Sequence, residues 1–217
     1  MLKMRRLLLI LTFLSGALVA NAQDLRSCFV DMPDSLSPLL TKINREDCLD
    51  FMDSKMRAVV TNRMEKPSEM TALEENYIAL DLTSESTLQM KLLPGKGKEK
   101  VICVVSTMKT GAQDSRISFF TTSWQPLDAT KYYNLEFSVS DFMKPLEQDA
   151  SYQLRDAYSE ADILFLKMDL DPKESRMILT CTTKDYLSKE TAELLEDRFL
   201  GPVTLDWIQG KGFRRIQ

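Results

Sequence analysis

Apolar residues recur at the spacing of an amphipathic helix near the beginning of the chain. They fall three or four positions apart from Leu36 to Ile43, which predicts a helix over residues 33–43. Asn44 has the side chain of a helix N-cap, and an apolar stripe follows it from Cys48 to Val60. The pattern therefore predicts a pair of helices before the first strand.

The middle of the chain alternates apolar and polar residues, with the two-residue period of strands that bury one face. Two such stretches, 78–82 and 88–92, precede a hairpin loop at Pro94–Lys98, where a proline and two glycines break the pattern. Val101–Val105 is apolar throughout, which predicts a central strand covered on both faces. Residues 115–124 are expected to return as a neighbouring strand.

The last part of the chain mixes strands with short polar segments. Tyr133–Val139 alternates and predicts a strand, whereas 148–161 is polar and indicates a loop with a helical turn. Residues 163–170 and 176–183 are expected to form a hairpin. Ser188 is a candidate N-cap for a C-terminal helix, and a short strand is expected after that helix.

These patterns predict an α+β fold. We expect a mainly antiparallel sheet with an N-terminal helix pair and a C-terminal helix packed on it. Residues 23–217 are interpreted as a single domain, with two lobes (23–127 and 128–217) as the open alternative.

The first 22 residues have the three parts of a secretory signal peptide. Lys3, Arg5 and Arg6 precede an apolar run over residues 7–19, and the small residues of Ala20–Ala22 follow. The run is too short for a membrane-spanning helix, and Gln23 rather than cysteine follows the expected cleavage site. We therefore expect a periplasmic or extracellular protein without a transmembrane segment after cleavage.

Composition removes several classes of function. The chain has 28 basic and 32 acidic residues, for a net charge of −4, which argues against a nucleic-acid partner. It contains no histidine, which excludes Ser-His-Asp and Cys-His catalysis as well as histidine-ligated metal centres. No cofactor, metal site or catalytic residue is predicted.

Four cysteines leave the redox state open. Cys103 and Cys181 lie in apolar or strand-like surroundings, where a free thiol behaves as a small hydrophobic group. Cys28 and Cys48 flank the first predicted helix. The alternatives are a Cys28–Cys48 disulfide and four buried thiols.

Aromatic residues supply the candidate contacts for a ligand or partner. Trp124, Tyr132 and Trp207 have the amphipathic side chains that line grooves for sugars or lipids, and the same side chains also serve at the rim of a sheet core. Asp169–Asp171 suggests oxygen ligands but is also ordinary turn chemistry. Sequence alone does not separate these alternatives.

Four short stretches are similar in sequence to a known protein family. They are Met32–Leu36, Asp50–Lys55, Met90–Pro94 and Asp114–Phe119, with Trp124 beyond the last. Together they resemble a family of exported Bacteroidetes proteins known only as a domain of unknown function. The resemblance spans most of the chain after the leader. It implies a Gram-negative envelope setting and supplies no catalytic residue.

Three functions remain. The first is an exported, non-catalytic binding or interaction module of the Gram-negative cell envelope, whose partner is an unknown protein or apolar ligand. The second is a periplasmic carrier of a lipid or another apolar ligand, and the third is a carboxylate-dependent hydrolase. A deep apolar cavity favours the carrier, two convergent carboxylates favour the hydrolase, and neither feature favours the interaction module.

Overall fold

A computed structural model describes residues 24–215, so the predicted signal peptide (residues 1–22) lies outside the described residues. Two antiparallel sheets and five short α-helices make up this part of the chain, and the α+β class is confirmed. The larger sheet has seven strands in chain order: β1 (Ala58–Thr61), β2 (Pro67–Glu74), β3 (Tyr77–Thr83), β4 (Ser86–Pro94), β5 (Lys100–Met108), β6 (Asp114–Thr121) and β7 (Pro126–Leu127).

The smaller sheet comes from the end of the chain and has the order β11-β10-β9-β8. Its strands are β8 (Leu166–Leu170), β9 (Arg176–Cys181), β10 (Val203–Ile208) and β11 (Gly212–Arg215). The helices are α1 (Leu25–Val30), α2 (Lys42–Asp53), α3 (Ala129–Tyr132), α4 (Tyr152–Glu160) and α5 (Lys189–Leu194). Because β8 lies at the edge of its sheet, one side of its backbone has no strand neighbour among the described residues.

The predicted helix over residues 33–43 is wrong. The structure has turns and irregular backbone from residue 31 to 41, and α2 begins after Thr41, whose side chain caps the helix together with that of Asn44. Pro38 explains the difference, because a proline disfavours helical backbone at the residue before it and cannot donate an intrahelical hydrogen bond. The helix before this loop is α1, which begins beyond Asp24.

A buried arginine of α2 holds this loop in place. Arg45 is 1% exposed, and its guanidinium donates to the carbonyl oxygens of Leu40 and Met32 at 2.7 Å each, and of Val30 at 3.2 Å. Its Nη1 also lies 3.5 Å from an oxygen of Asp34. The loop carbonyls, which lack helical partners, are therefore satisfied by one side chain.

The second predicted helix also ends before the apolar stripe does, because α2 ends at Asp53 and Val60 lies in β1. Two further expectations need correction. Tyr133–Val139 is not a strand, because no strand of the described residues pairs with its backbone, although Tyr133, Leu135 and Phe137 pack against the core between the sheets. The polar segment 148–161 contains a full helix, α4, which is capped by Ser151 and buries Ala157. The alternation of apolar and polar residues indicates which side chains are buried, but it does not fix the backbone conformation. In both segments tertiary packing determines that conformation.

Each face of the larger sheet covers a separate core. One face packs against α1 and α2 through residues that include Leu80, Met90 and Ile102. The other face packs against the smaller sheet through residues that include Cys103, Phe119 and Leu179. Val101–Val105 lies in β5, between β4 and β6, and all five residues are buried, which confirms the prediction of a central strand.

Side chains of the larger sheet bond to the free edge of β8. The amides of Leu166, Met168 and Leu170 point away from β9, and each donates to a side chain of the larger sheet. The acceptors are Asp114 Oδ1 at 3.1 Å, Ser115 Oγ at 2.9 Å and Gln89 Oε1 at 2.7 Å, respectively. The contacts between the two sheets are therefore polar at the edge of β8 and apolar over the face.

The central position of β5 gives a stability prediction. Ile102 is fully buried against the helices, so Ile102→Asp places an unpaired carboxylate in the core and should cost about 3–5 kcal/mol of unfolding free energy. Lys98→Asp, in the exposed β4–β5 hairpin, should change the free energy by less than about 0.5 kcal/mol. Urea denaturation of both variants measures the difference. Equal midpoints for the two variants would contradict a central β5.

Candidate functional site

An open groove of about 520 Å³ runs beside β6. Its floor is the helix-side face of the larger sheet, beyond the part that α1 and α2 cover, and includes Leu88, Val104 and Phe120. The loop of Met32–Leu36 forms one side, and Trp124 with the short strand β7 forms the other. The groove thus lies where the helix layer ends, and its floor residues are at most 9% exposed.

Trp124 is fixed in place at the β6–β7 turn. Its indole Nε1 donates to the carbonyl oxygen of Cys28 at 2.9 Å, and its ring lies 5.3 Å from that of Phe120. Its backbone φ of 62° is in the left-handed region, which is unusual for a large side chain and carries a cost in free energy. The indole bond to α1 offsets this cost, so the wall of the groove is preorganised.

Polar groups line the groove at its β6 side. Arg116 is exposed, and among residues 24–215 no carboxylate oxygen lies within 4.0 Å of its guanidinium. Ser106 is its cross-strand partner on β5, and Ser118 lies two residues further along β6 on the same face. Within residues 24–215, the groove therefore presents an apolar floor beside an arginine that has no acidic partner.

The other two candidate aromatics lie elsewhere. Tyr132 and Trp207 stack with ring centroids 5.6 Å apart, on the side of the larger sheet that faces the smaller one. Trp207 Nε1 donates to the carbonyl oxygen of Pro94 at 2.8 Å, and the ring is 6.1 Å from Phe119. The structure thus brings Tyr132 and Trp207 together but separates them from Trp124. A ligand-contact role for the three residues stays a prediction.

A buried lysine forms part of the junction between the sheets. Lys91 is 2% exposed, and its Nζ donates to the carbonyl oxygens of Asp171 and Pro172 at 2.5 and 3.2 Å. It also lies 5.7 Å from the centre of the Tyr77 ring, and burial lowers the pKa of its ammonium. Asp169–Asp171 is accordingly a strand end and turn, and the carbonyl of Asp171 accepts from this ammonium.

One pair of carboxylates faces each other across the strands β2 and β3. Glu69 and Asp81 are direct cross-strand partners, and each is tied to a cation. Arg57 donates two bonds to Glu69, at 2.9 and 2.7 Å, and Lys109 lies 3.3 Å from Asp81. The bonds from Arg57 lower the pKa of Glu69, which leaves this carboxyl ionised and unsuited to the general-acid role in glycoside hydrolysis.

Metal sites and membrane-spanning helices were also sought among the described residues. Within the described residues, no group of three or more Cys, Asp and Glu side chains is placed to hold a metal ion. In residues 24–215, the helices are all too short or too polar to cross a membrane.

Residues 17–212 match a family described as "Protein of unknown function (DUF3256)". The chain belongs to this family. It is also similar to a solved structure described as a domain of an uncharacterized protein from Porphyromonas gingivalis W83, at 25% identity and a TM-score of 0.74. The match covers 88% of this chain and 97% of that one. No curated protein matches the chain.

The family match and the structural match agree on the fold. They confirm the resemblance to a domain of unknown function, and they assign no activity to any residue of the groove. A shared fold does not by itself identify a function, which depends on the chemistry of the site.

The four cysteines are free thiols, and Cys28, Cys48 and Cys103 are buried. The Cys28–Cys48 disulfide left open by the sequence is therefore absent. Burial raises the pKa of Cys28 and of Cys48 to about 11, and it raises the pKa of Cys103 further. Cys181 is half-buried at the end of β9.

Native thiol labelling tests this arrangement. A thiol with a pKa near 11 is a thiolate in only about one molecule in a thousand at pH 8, so Cys28, Cys48 and Cys103 should resist a thiol reagent until urea unfolds the chain. Mass spectrometry of peptides locates the label. Rapid native labelling of Cys103 would show that β5 is not buried.

Proposed function

We propose that this protein is an exported, non-catalytic interaction module of the Gram-negative cell envelope, and that it binds a protein partner in the groove beside β6. The proposal is supported by an open, preorganised groove with an apolar floor, edged by Ser106, Ser118 and Arg116, into which the half-exposed side chain of Leu36 projects. A groove with an apolar floor and a polar rim is typical of an interaction site.

The shape of the groove supports a protein partner over a carried small ligand. Carriers enclose most of the surface of an apolar ligand, whereas this groove is open along its length. Each wall of the groove is held by a side chain of its own. Arg45 bonds to the irregular loop on one side, and Trp124 fixes the strand turn on the other. Both walls are fixed before binding, which lowers the entropy cost of association.

The proposed location in the cell envelope is supported by the predicted signal peptide, residues 1–22. Its basic start, apolar run and small-residue site are typical of secretion, and no lipid-accepting cysteine follows the expected cleavage site. The resemblance to exported proteins supports the same setting. The absence of histidine further supports a binding role, because the usual catalytic base at neutral pH is missing.

A carrier of apolar ligands is the second candidate. The volume of about 520 Å³ falls within the range of small-molecule sites, and the floor is apolar. The occupant of the groove distinguishes the two candidates, since the proposed module binds a polypeptide and the carrier binds a lipid.

Photo-crosslinking in cells tests the proposal. A photoreactive amino acid replaces Leu36, which is 39% exposed in the groove, and in a matched control it replaces Met64, which is 64% exposed in the turn between β1 and β2. We expect a discrete protein adduct in the envelope fraction from position 36 only. A lipid adduct at position 36 would support the carrier instead. Identical adducts from both positions, or none from either, would contradict binding in the groove.

A further inference from the structure

β6 has an uncovered edge next to the groove. The strand β7 contains only Pro126 and Leu127, and these residues pair with Phe120 and Phe119. The chain then leaves the sheet at Asp128, the cap of α3. In the described residues no strand lies beside the rest of β6 on this side.

The hydrogen-bond pattern determines which backbone groups this edge exposes. Thr121 donates its amide to the carbonyl of Gln125 at 2.9 Å, so the amide and carbonyl of Thr121 point away from β5. Because the direction alternates along an antiparallel strand, the amide and carbonyl of Ile117 point the same way. Neither group has a hydrogen-bond partner among residues 24–215.

The groove reaches this edge. It is lined by five consecutive residues of β6, from Arg116 to Phe120. Successive residues of a strand point to opposite faces, so a groove that contacts all five runs along the edge as well as over the face. A segment that lies in the groove therefore has access to the free backbone groups of Ile117, which is itself half-buried.

We propose that the partner binds by strand addition: an extended segment of the partner pairs with β6, antiparallel to it, and continues the row begun by β7. This inference rests on the proposed function and specifies how the partner is recognised. The partner residue opposite Ile117 exchanges two backbone hydrogen bonds with it, as in an ordinary antiparallel pair. Continuity with β7 gives the direction, since β7 already runs antiparallel to β6.

The groove also defines the side chains of the partner segment. A residue opposite Ser118 has its side chain on the groove face, beside Phe120 and Val104, where an apolar group is buried. The residue two positions later lies opposite Arg116, where an acidic group meets the free guanidinium. The expected recognition pattern is an apolar residue followed two positions later by Asp or Glu.

A synthetic peptide, Leu-Thr-Glu-Thr-Thr-amide, tests this pattern in an NMR titration of the labelled protein. Binding should shift the Ile117 amide resonance and slow its hydrogen exchange. N-methylation of the first threonine removes the amide that pairs with Ile117 and should weaken binding about tenfold or more. N-methylation of the glutamate, whose amide points away from β6, is the matched control and should weaken binding far less.

Charge reversal gives an independent readout. Arg116→Glu should weaken binding of this peptide about tenfold, and replacing the peptide glutamate by lysine should restore it. Lys98→Glu, an exposed reversal in the β4–β5 hairpin, should leave affinity unchanged. Equal effects of Arg116→Glu and Lys98→Glu would contradict the acidic position of the pattern.

The outcomes separate strand addition from the proposed function. Equal weakening by the two N-methylations, or no binding of the peptide while Leu36 still crosslinks to a protein, overturns strand addition and leaves groove binding intact. A dimer in sedimentation experiments without peptide, with a protected Ile117 amide, shows that a second copy occupies the edge and overturns the proposed partner segment. Loss of the Leu36 adduct overturns the proposed function itself.

Discussion

Three backbone amides at the edge of β8 need acceptors that their own sheet does not supply. An amide buried without a partner costs about 1–3 kcal/mol, so this edge is stable only where the larger sheet brings acceptors to it. Asp114, Ser115 and Gln89 are spaced across two strands to accept from Leu166, Met168 and Leu170. The position of the smaller sheet is therefore determined by directional bonds as well as by apolar area.

The free edge of β6 follows from this arrangement. The smaller sheet covers one face of the larger sheet, the helices cover much of the other, and β8 bonds to side chains at the beginning of β6 rather than to its backbone. The strand β7 ends after two residues, because the chain turns into α3 to reach the core between the sheets. What remains is a short backbone edge of β6 beside the groove.

The strongest sequence predictions came from residues whose environment is set locally. The strands β3 and β4, the apolar run of β5 and the loop at Pro94–Lys98 depend on neighbouring residues, and the structure confirms them. The helix over 33–43 was wrong because Pro38 outweighs the apolar spacing. The strand over 133–139 was wrong because its alternating side chains are buried without a neighbouring strand.

The site was harder to predict because it depends on contacts between distant segments. Gln89 and Lys91 are the polar positions of an alternating strand, and the alternation assigns them to solvent, yet they contact the smaller sheet 80 residues later. Trp124 was identified from its residue type, but its bond to Cys28 and the groove beside it are long-range. A free strand edge cannot be predicted from composition or from the spacing of apolar residues, because it depends on whether another strand pairs with it.

Amide hydrogen exchange of the free protein, followed residue by residue, shows whether side chains of the larger sheet hold β8 while the edge of β6 stays open. The amides of Leu166, Met168 and Leu170 should be protected as strongly as those paired within β9, and the Ile117 amide should exchange quickly. Gln89→Leu should remove protection from Leu170 while Met168 keeps it. Fast exchange of all three β8 amides, or strong protection of Ile117 in the free monomer, would contradict the account.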